Sequence, residues 1–276
     1  MYLSLFKGRA IKLKDSSGYG ETMERQTILK IVAITVCMAS VLAAYAYYRL
    51  SNPRNSNLIW NDEFDGTTLN LGKWNYRGLG PRRDAINVED AISVRDGSLF
   101  ITTFREGNET FTGMIGTMGF FENVFGYYEC RVRFQTQPGH WSAFWLQSQT
   151  YGHVPGDTNV SGAEIDIFEY RAIYPKKIQH ALYWTGEDGS LDGAAQNLET
   201  LDEASGWHAV GLDWSPDEYV FYVDGVETWR TDEAVSGAPQ YIILSIEVAS
   251  WGGNIADATL PDSVEVDYIR VYSEKP

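Results

Sequence analysis

Glu164-Ile165-Asp166-Ile167-Phe168-Glu169 places three carboxylates in one short apolar run bounded by Gly162 and Arg171. Ile165, Ile167 and Phe168 are strand formers, so the run reads as a buried β-strand. Alternate residues of a strand share a face, which sets Glu164 and Asp166 together and Ile165 opposite. Glu169 stands five positions after Glu164, and a regular strand would turn it away from its partners. One extra residue, a β-bulge at Ile167–Phe168, returns Glu169 to the side of Asp166 and tightens the bend.

Such a cluster has a chemistry. Retaining cleavage of a glycosidic bond uses two carboxyl groups about 5–5.5 Å apart, one as nucleophile and one as general acid/base. Crowded carboxylates raise the pKa of at least one member, which lets one carry a proton near neutral pH while another stays ionised. The competing reading is a solvated acidic strand face. The flanks argue against it: Trp141, Phe144, Trp145 and Leu146 precede the run and Tyr183 and Trp184 follow it, which predicts an aromatic-rich cleft. The geometry names Glu164 and Glu169 as the outer pair but leaves open which is nucleophile and which is acid.

Outward from this run, the chain from Leu58 on consists of short apolar or alternating segments punctuated by Gly, Asp and Asn. Leu99–Phe104, Tyr127–Phe134, Ala143–Gln147, Glu164–Tyr170, Gln179–Trp184, His208–Trp214, Glu218–Val223, Gln240–Val248 and Ser263–Tyr272 read as strands. Asp96-Gly97 and Asp224-Gly225 are hairpin signals. No long amphipathic helix pattern lies between them, so the fold class is all-β, an antiparallel sandwich. Two cysteines, Cys37 in an apolar stretch and Cys130 in a predicted strand, are not expected to pair. Nine Trp and seventeen Tyr supply flat rings for stacking on sugars, although a sandwich core also consumes many of them.

The net charge is −15. Residues 1–46 hold six Lys/Arg against three Asp/Glu, which leaves −18 on the remainder. A domain this acidic repels nucleic acid, and that partner is excluded. It also disfavours a sulfated polysaccharide unless a local basic patch binds it.

The chain resembles glycoside hydrolase family 16, the laminarinase-like endoglycosidases, in its bulged E-x-D-x-x-E branch. Beyond Glu164, Asp166 and Glu169, the likeness rests on Trp60-Asn61-Asp62-Glu63-Phe64-Asp65-Gly66 with Lys73-Trp74-Asn75-Tyr76, Gly126-Tyr127-Tyr128-Glu129-Cys130-Arg131-Val132, and Trp141-Ser142-Ala143-Phe144-Trp145-Leu146. Asp213-Trp214-Ser215-Pro216-Asp217, Tyr222-Val223-Asp224-Gly225 and Val266-Asp267-Tyr268-Ile269-Arg270-Val271-Tyr272 extend it over about residues 58–274. The resemblance implies a β-jelly roll with substrate across a concave sheet, Glu164 as nucleophile, Glu169 as acid/base, and Asp166 between them tuning both. It implies endo-acting cleavage of β-1,3 or mixed β-1,3/1,4 glucan.

It also suggests substrate contacts at Trp141, Trp145, His180, Trp184, Glu247 and Trp251. Glu247 departs from the family, which usually has Asn there, and this puts the sugar contacts on that side in doubt. Catalysis needs no cofactor. A structural Ca²⁺ is implied at Glu63 and Asp267 with the Gly97 carbonyl, since hard oxygen ligands suit it.

Residues 31–48 form an uncharged apolar run of 18 residues with Lys30 before it and Arg49 after. This is long enough to span a membrane, and the preceding Lys and Arg place the N-terminus inside and the catalytic domain outside. Cleavage as a signal peptide after Ala44-Tyr45-Ala46, with Met23 as the start, competes with an uncleaved anchor. The expected organisation is therefore a cytoplasmic or leader segment (1–30), a membrane-spanning hydrophobic helix or signal peptide (31–48), a linker (49–57) and a catalytic domain (58–276). The protein is expected to be a monomer, held at the cell membrane or secreted. Competing functions are a transglycosylase that remodels surface polysaccharide, a galactan-directed agarase- or carrageenase-type enzyme, which Arg82, Arg83 and Arg171 in the cleft would favour, and a lectin-like sandwich without catalysis.

Overall fold

A strand that alternates apolar and polar residues must bury one face, and two sheets that do so against each other make a sandwich. The computed structural model describes residues 57–199, 201 and 205–276. The expected leader, the membrane-spanning helix over 31–48 and nearly all of the linker lie outside the described residues. Among the described residues no helix is long and apolar enough to cross a membrane.

Asn57–Pro276 is a single unit of two sheets. The eight-stranded sheet runs Leu191–Glu199, Lys177–Thr185, Glu164–Arg171, His140–Gln147, Gln240–Val248, Met114–Gly116 and Asn75–Tyr76, with Glu122–Asn123 paired to Gln240–Val248. The eleven-stranded sheet is centred on Gly126–Arg133 and Asp262–Tyr272, with His208–Trp214 beyond the first and Ser98–Glu106 beyond the second. At its far end the hairpin Gly80–Arg82/Ala85–Asn87 returns to the other sheet, where Asp84 N–H donates to the Val248 carbonyl at 3.0 Å. Pairing is antiparallel throughout except between Ala85–Asn87 and Glu109–Thr112.

All nine predicted strands are present, with ends shifted by at most three residues. Both hairpin signals are two-residue turns in which Asp and Gly take positive φ (54° and 76° at Asp96-Gly97, 50° and 80° at Asp224-Gly225). Two consecutive left-handed residues match the twist of the flanking strands, and Asp-Gly adopts them at low cost. The core between the sheets holds Trp74, Leu99, Tyr128, Phe144, Ile165, Ile167, Phe168, Leu182, Trp214 and Phe221, all buried. Each such side chain contributes about 1.5–3 kcal/mol by leaving water. Cys130 is a free, buried thiol.

The expected calcium ligands do not form a donor set. Glu63 is gripped by Arg270, Nε to Oε1 at 2.8 Å and Nη2 to Oε2 at 2.7 Å. Asp267 accepts from Arg131 Nη1 at 2.7 Å. Guanidinium groups therefore already neutralise both carboxylates, and Gly97 belongs to its own hairpin turn. Among the described residues no group of three His, Cys, Asp or Glu is arranged to hold a metal ion. If the arginine pairs alone hold these carboxylates, removal of divalent cations with EDTA leaves the melting temperature within about 1 °C, and a larger fall marks a bound Ca²⁺.

Candidate active site

The strand Glu164–Arg171 lies between His140–Gln147 and Lys177–Thr185. Its register slips between Asp166 and Glu169: Ala181 pairs with Asp166 and Gln179 with Glu169, two partner residues for three steps. On the other side, Phe144 faces Phe168 while Trp145 faces Asp166, so Ile167 is the extra residue. Ile167 and Phe168 both point into the core, where they are buried. Glu164, Asp166 and Glu169 consequently share the face opposite, in line with Tyr183, Ala181 and Gln179.

His180 belongs to this bulge and not to the cleft. It is fully buried, with Nδ1 2.6 Å from the Ile167 carbonyl and Nε2 2.9 Å from the Thr228 hydroxyl. A carbonyl only accepts, so Nδ1 carries the proton, while the one hydroxyl proton of Thr228 is shared between Nε2 and the Phe221 carbonyl at 3.2 Å. Burial pushes its pKa down to about 4, so the imidazole is neutral and remains in this tautomer. The bulge frees a carbonyl from the ladder, and His180 satisfies it. The expected substrate contact at His180 is therefore corrected to a supporting one. Trp184 is corrected likewise: it shares the side of Ile178, His180 and Leu182 and packs on the core. The neighbour that does face the carboxylates is Tyr183, whose phenol their charges and burial raise to about 12.

The other carboxylate neighbours come from rows that cross the sheet. Arg171, Trp141 and Glu247 form one row, and Asp166, Trp145 and Ile243 another. Trp141 Nε1 donates to Glu169 Oε1 at 3.1 Å. Trp145 lies in the floor with Met114, Ala143, Tyr241 and Ile243, its Nε1 donating to Ser245 at 3.2 Å. Gln147 Nε2 donates to Glu164 Oε2 at 2.9 Å. The Gln147 side chain is itself fixed, because its Oε1 accepts from Arg77 at 3.1 Å and from the Tyr241 hydroxyl at 3.0 Å. Glu247 is buried and holds both Arg82 (Nε, 2.7 Å) and Arg83 (Nε, 3.1 Å). Trp251 stands edge-on to Trp141, ring centroids 4.9 Å apart.

All three carboxyl groups are pushed upward, each against a different set of neighbours. Burial, then the charges of Glu169 and Glu164, drive Asp166 well above the ordinary carboxylate range. Burial and the Glu164 charge push Glu169 up to about 7, against the pull of Trp141 and Arg171. Burial raises Glu164 too, but the Gln147 hydrogen bond and the Arg82, Arg83 and Arg77 charges oppose it. Glu169 is thereby poised to carry a proton near neutral pH, and of the two outer groups Glu164 is the one whose ionised form has the hydrogen bond and the larger set of arginine charges in its favour. Tyr183 was expected among the aromatics of the cleft; Gln147, Arg77 and Tyr241 were not anticipated. Gln147 had a sequence signal, since it continues the Trp141, Trp145 face by two residues; Arg77 and Tyr241 reach the site only through the fold.

The profile of glycosyl hydrolases family 16 matches residues 81–270. Glucan endo-1,3-beta-glucosidase A1 of Niallia circulans is 26% identical over 264 residues, which cover 79% of this chain and 38% of the relative. Keratan-sulfate endo-1,4-beta-galactosidase of Sphingobacterium multivorum is 28% identical over 246 residues, 78% of this chain and 54% of the relative. The chain thus spans between about a third and about half of these two relatives' own lengths. Among solved structures, the endo-β-1,3-glucanase of Pyrococcus furiosus superposes with a TM-score of 0.67 at 27% identity, over 78% of this chain and 94% of that one.

Two outcomes follow from the site. His180→Leu leaves the Ile167 carbonyl buried without a donor, which costs about 1–3 kcal/mol. It should lower the melting temperature and cut kcat while leaving KM near the wild-type value, because the displaced group is Glu169. For Glu169 the folded pKa of about 7 exceeds the ordinary 4.5. The folded state binds the extra proton between those values, so its stability falls as pH rises from 4.5 to 7 and levels off above. Glu169→Gln should raise the melting temperature by several degrees at pH 8 and give no comparable gain at pH 4.

Proposed function

The chain belongs to glycosyl hydrolases family 16, and we propose that it is a retaining, endo-acting hydrolase of a β-linked polysaccharide, with β-1,3 or mixed β-1,3/1,4 glucan linkages cleaved through a covalent glycosyl-enzyme intermediate. The observation that carries this reading is the bulge that sets Glu164, Asp166 and Glu169 on one sheet face, with Gln147 donating to Glu164 and Trp141 to Glu169, whose carboxyl burial and the Glu164 charge push up to about 7. Relatives named for glucan endo-1,3-beta-glucosidase activity support the choice of glucan.

Glu164 attacks the anomeric carbon. Its lone pair is aimed by the Gln147 amide, which is braced from behind by Arg77 and Tyr241. Glu169 gives its proton to the departing glycosidic oxygen, so the leaving sugar departs as an alcohol and not as an alkoxide. With the ester formed at Glu164, the negative charge that had raised the Glu169 pKa is gone. Glu169, now ionised, takes a proton from water, which attacks the anomeric carbon and restores Glu164. Burial and the charges of Glu169 and Glu164 raise Asp166, so the protonated form is favoured there and the crowding of negative charge between the outer groups is relieved. Nucleophile and proton both come from the chain, so the steps draw on no cofactor.

The 18-residue apolar run over 31–48 supports the further reading that the catalytic domain is exported and held at the cell surface. On this reading the substrate is an extracellular glycan and the protein acts as a monomer.

Incubation of the full-length protein with laminarin and lichenan, with products resolved by size, tests the assignment. Glu164→Gln and Glu169→Gln should each lower kcat by about 10³-fold or more, as loss of a nucleophile or acid does. Glu164→Ala with azide should return an α-glycosyl azide, the inverted product; near-wild-type turnover in Glu164→Gln would exclude it as nucleophile. The alkaline limb of kcat/KM should follow the loss of the Glu169 proton near pH 7.

A further inference from the structure

Residues 57–276 carry 34 Asp/Glu against 14 Lys/Arg, yet three arginines converge on one end of the carboxylate face. Arg82 and Arg83 arrive from the tip of the Gly80–Arg82/Ala85–Asn87 hairpin, where Arg83 holds a left-handed φ of 52°. A non-glycine residue in that region is strained, and such strain persists where surrounding contacts impose it. Here those contacts are Glu247, which binds both guanidinium groups, and the Asp84–Val248 backbone hydrogen bond. Arg171 is placed across Trp141 from Glu247 in the same row of the sheet.

Two features of this corner are not those of a neutral-sugar platform. Stacking of an uncharged pyranose needs a bare indole face. Arg83 lies over the Trp141 ring at 5.2 Å and Arg171 over the Trp251 ring at 3.9 Å. A neutral sugar stacking on the side of the ring that a guanidinium occupies would have to displace that cation. The charge is also uneven: Glu247 is one carboxylate against two arginines, and Arg83, its side chain half-exposed, gives it only Nε. The planar fork of a guanidinium is suited to a sulfate or carboxylate, which accepts two parallel hydrogen bonds.

We propose that Arg82, Arg83 and Arg171, set around Trp141 and Trp251 and held by Glu247, form a subsite for an anionic substituent, sulfate or carboxylate, on the polysaccharide. The inference rests on the hydrolase reading and deepens it: the substrate is a charged β-linked glycan. The rest of the domain repels a polyanion, so the subsite selects glycans that present the charge at this corner.

The test uses full-length protein, with binding and turnover measured separately. Affinity electrophoresis of the Glu169→Gln variant compares gels containing laminarin, laminarin sulfate and carboxymethyl laminarin, with agarose and carrageenan as the galactan pair. Non-specific charge works against binding here, because protein and glycan are both anionic. The expected result is at least about tenfold tighter retention by a charged glycan than by its neutral parent. Preference for the sulfated or the carboxymethylated form identifies the substituent. In the active protein, Arg83→Gln and Arg171→Gln should bring the ratio of kcat/KM on charged over neutral glycan toward one, and 0.5 M NaCl should do the same. Arg171→Gln does not disturb the Glu247 pair, so it remains decisive if Arg83→Gln fails to fold.

Equal retention by charged and neutral glycans overturns the proposal. So does an equal loss on both in the arginine variants with a shifted pH profile, which would mean that the arginines serve only to balance the carboxylates. Cleavage of neutral laminarin without charge preference sinks the anion subsite alone. Retention on a charged glycan with no cleavage of any glycan by the active protein sinks the hydrolase reading alone.

Discussion

The hydrogen bond between His180 and the Ile167 carbonyl fixes the geometry on which the site depends. A regular strand would send Glu169 into the core, where an ionised carboxylate costs far more than a domain's stability margin. Inserting Ile167 reverses its direction but releases a backbone carbonyl from the ladder in the dry interior. The imidazole supplies the missing donor, and the Thr228 hydroxyl lies against its other nitrogen. The order of the cluster on the open face is thus set by a neutral polar pair on the closed face. The strands on either side contribute Phe144 and Leu182 to the same interior, so the bulge is packed as well as bonded.

On the open side the dominant constraint is desolvation. Burial raises all three carboxyl groups, and what differentiates them is the company each keeps. Glu164 has the Gln147 amide and three arginine charges to favour ionisation, Asp166 has only like charges, and Glu169 has an indole N–H and the charges of Arg171 and Arg83. The sheet thereby gives three carboxyl groups of one strand three different surroundings. Glu247 extends the same logic to the end of the cleft. A buried carboxylate needs a cation, and two arginines from a hairpin on the other sheet supply it while their charges also act on Glu164.

Strand positions, hairpins and the bulge were legible in the sequence because each depends on neighbours within a few residues. The alternation through 164–169 gave the shared face of Glu164 and Asp166 and required the extra residue at Ile167–Phe168, and Asp-Gly pairs marked two turns that only left-handed residues make. His180 and Trp184 were misplaced although a signal existed: Ile178 and Leu182 mark the buried phase of that strand, and both residues share it. Glu63 and Asp267 looked like calcium ligands because carboxylates recommend themselves by type, while their arginine partners, Arg270 and Arg131, lie 207 and 136 residues away.

By itself, then, the sequence determined an all-β sandwich, the bulged carboxylate strand and the chemistry that three clustered acids can perform. The tertiary structure decided which aromatic faces are open, which acids are paired and where the scarce cations gather. The physical reason is range. Side-chain parity and turn geometry are properties of consecutive residues, whereas Arg82 reaches Glu247 across 165 positions, and only the closing of one sheet over the other brings them within 2.7 Å.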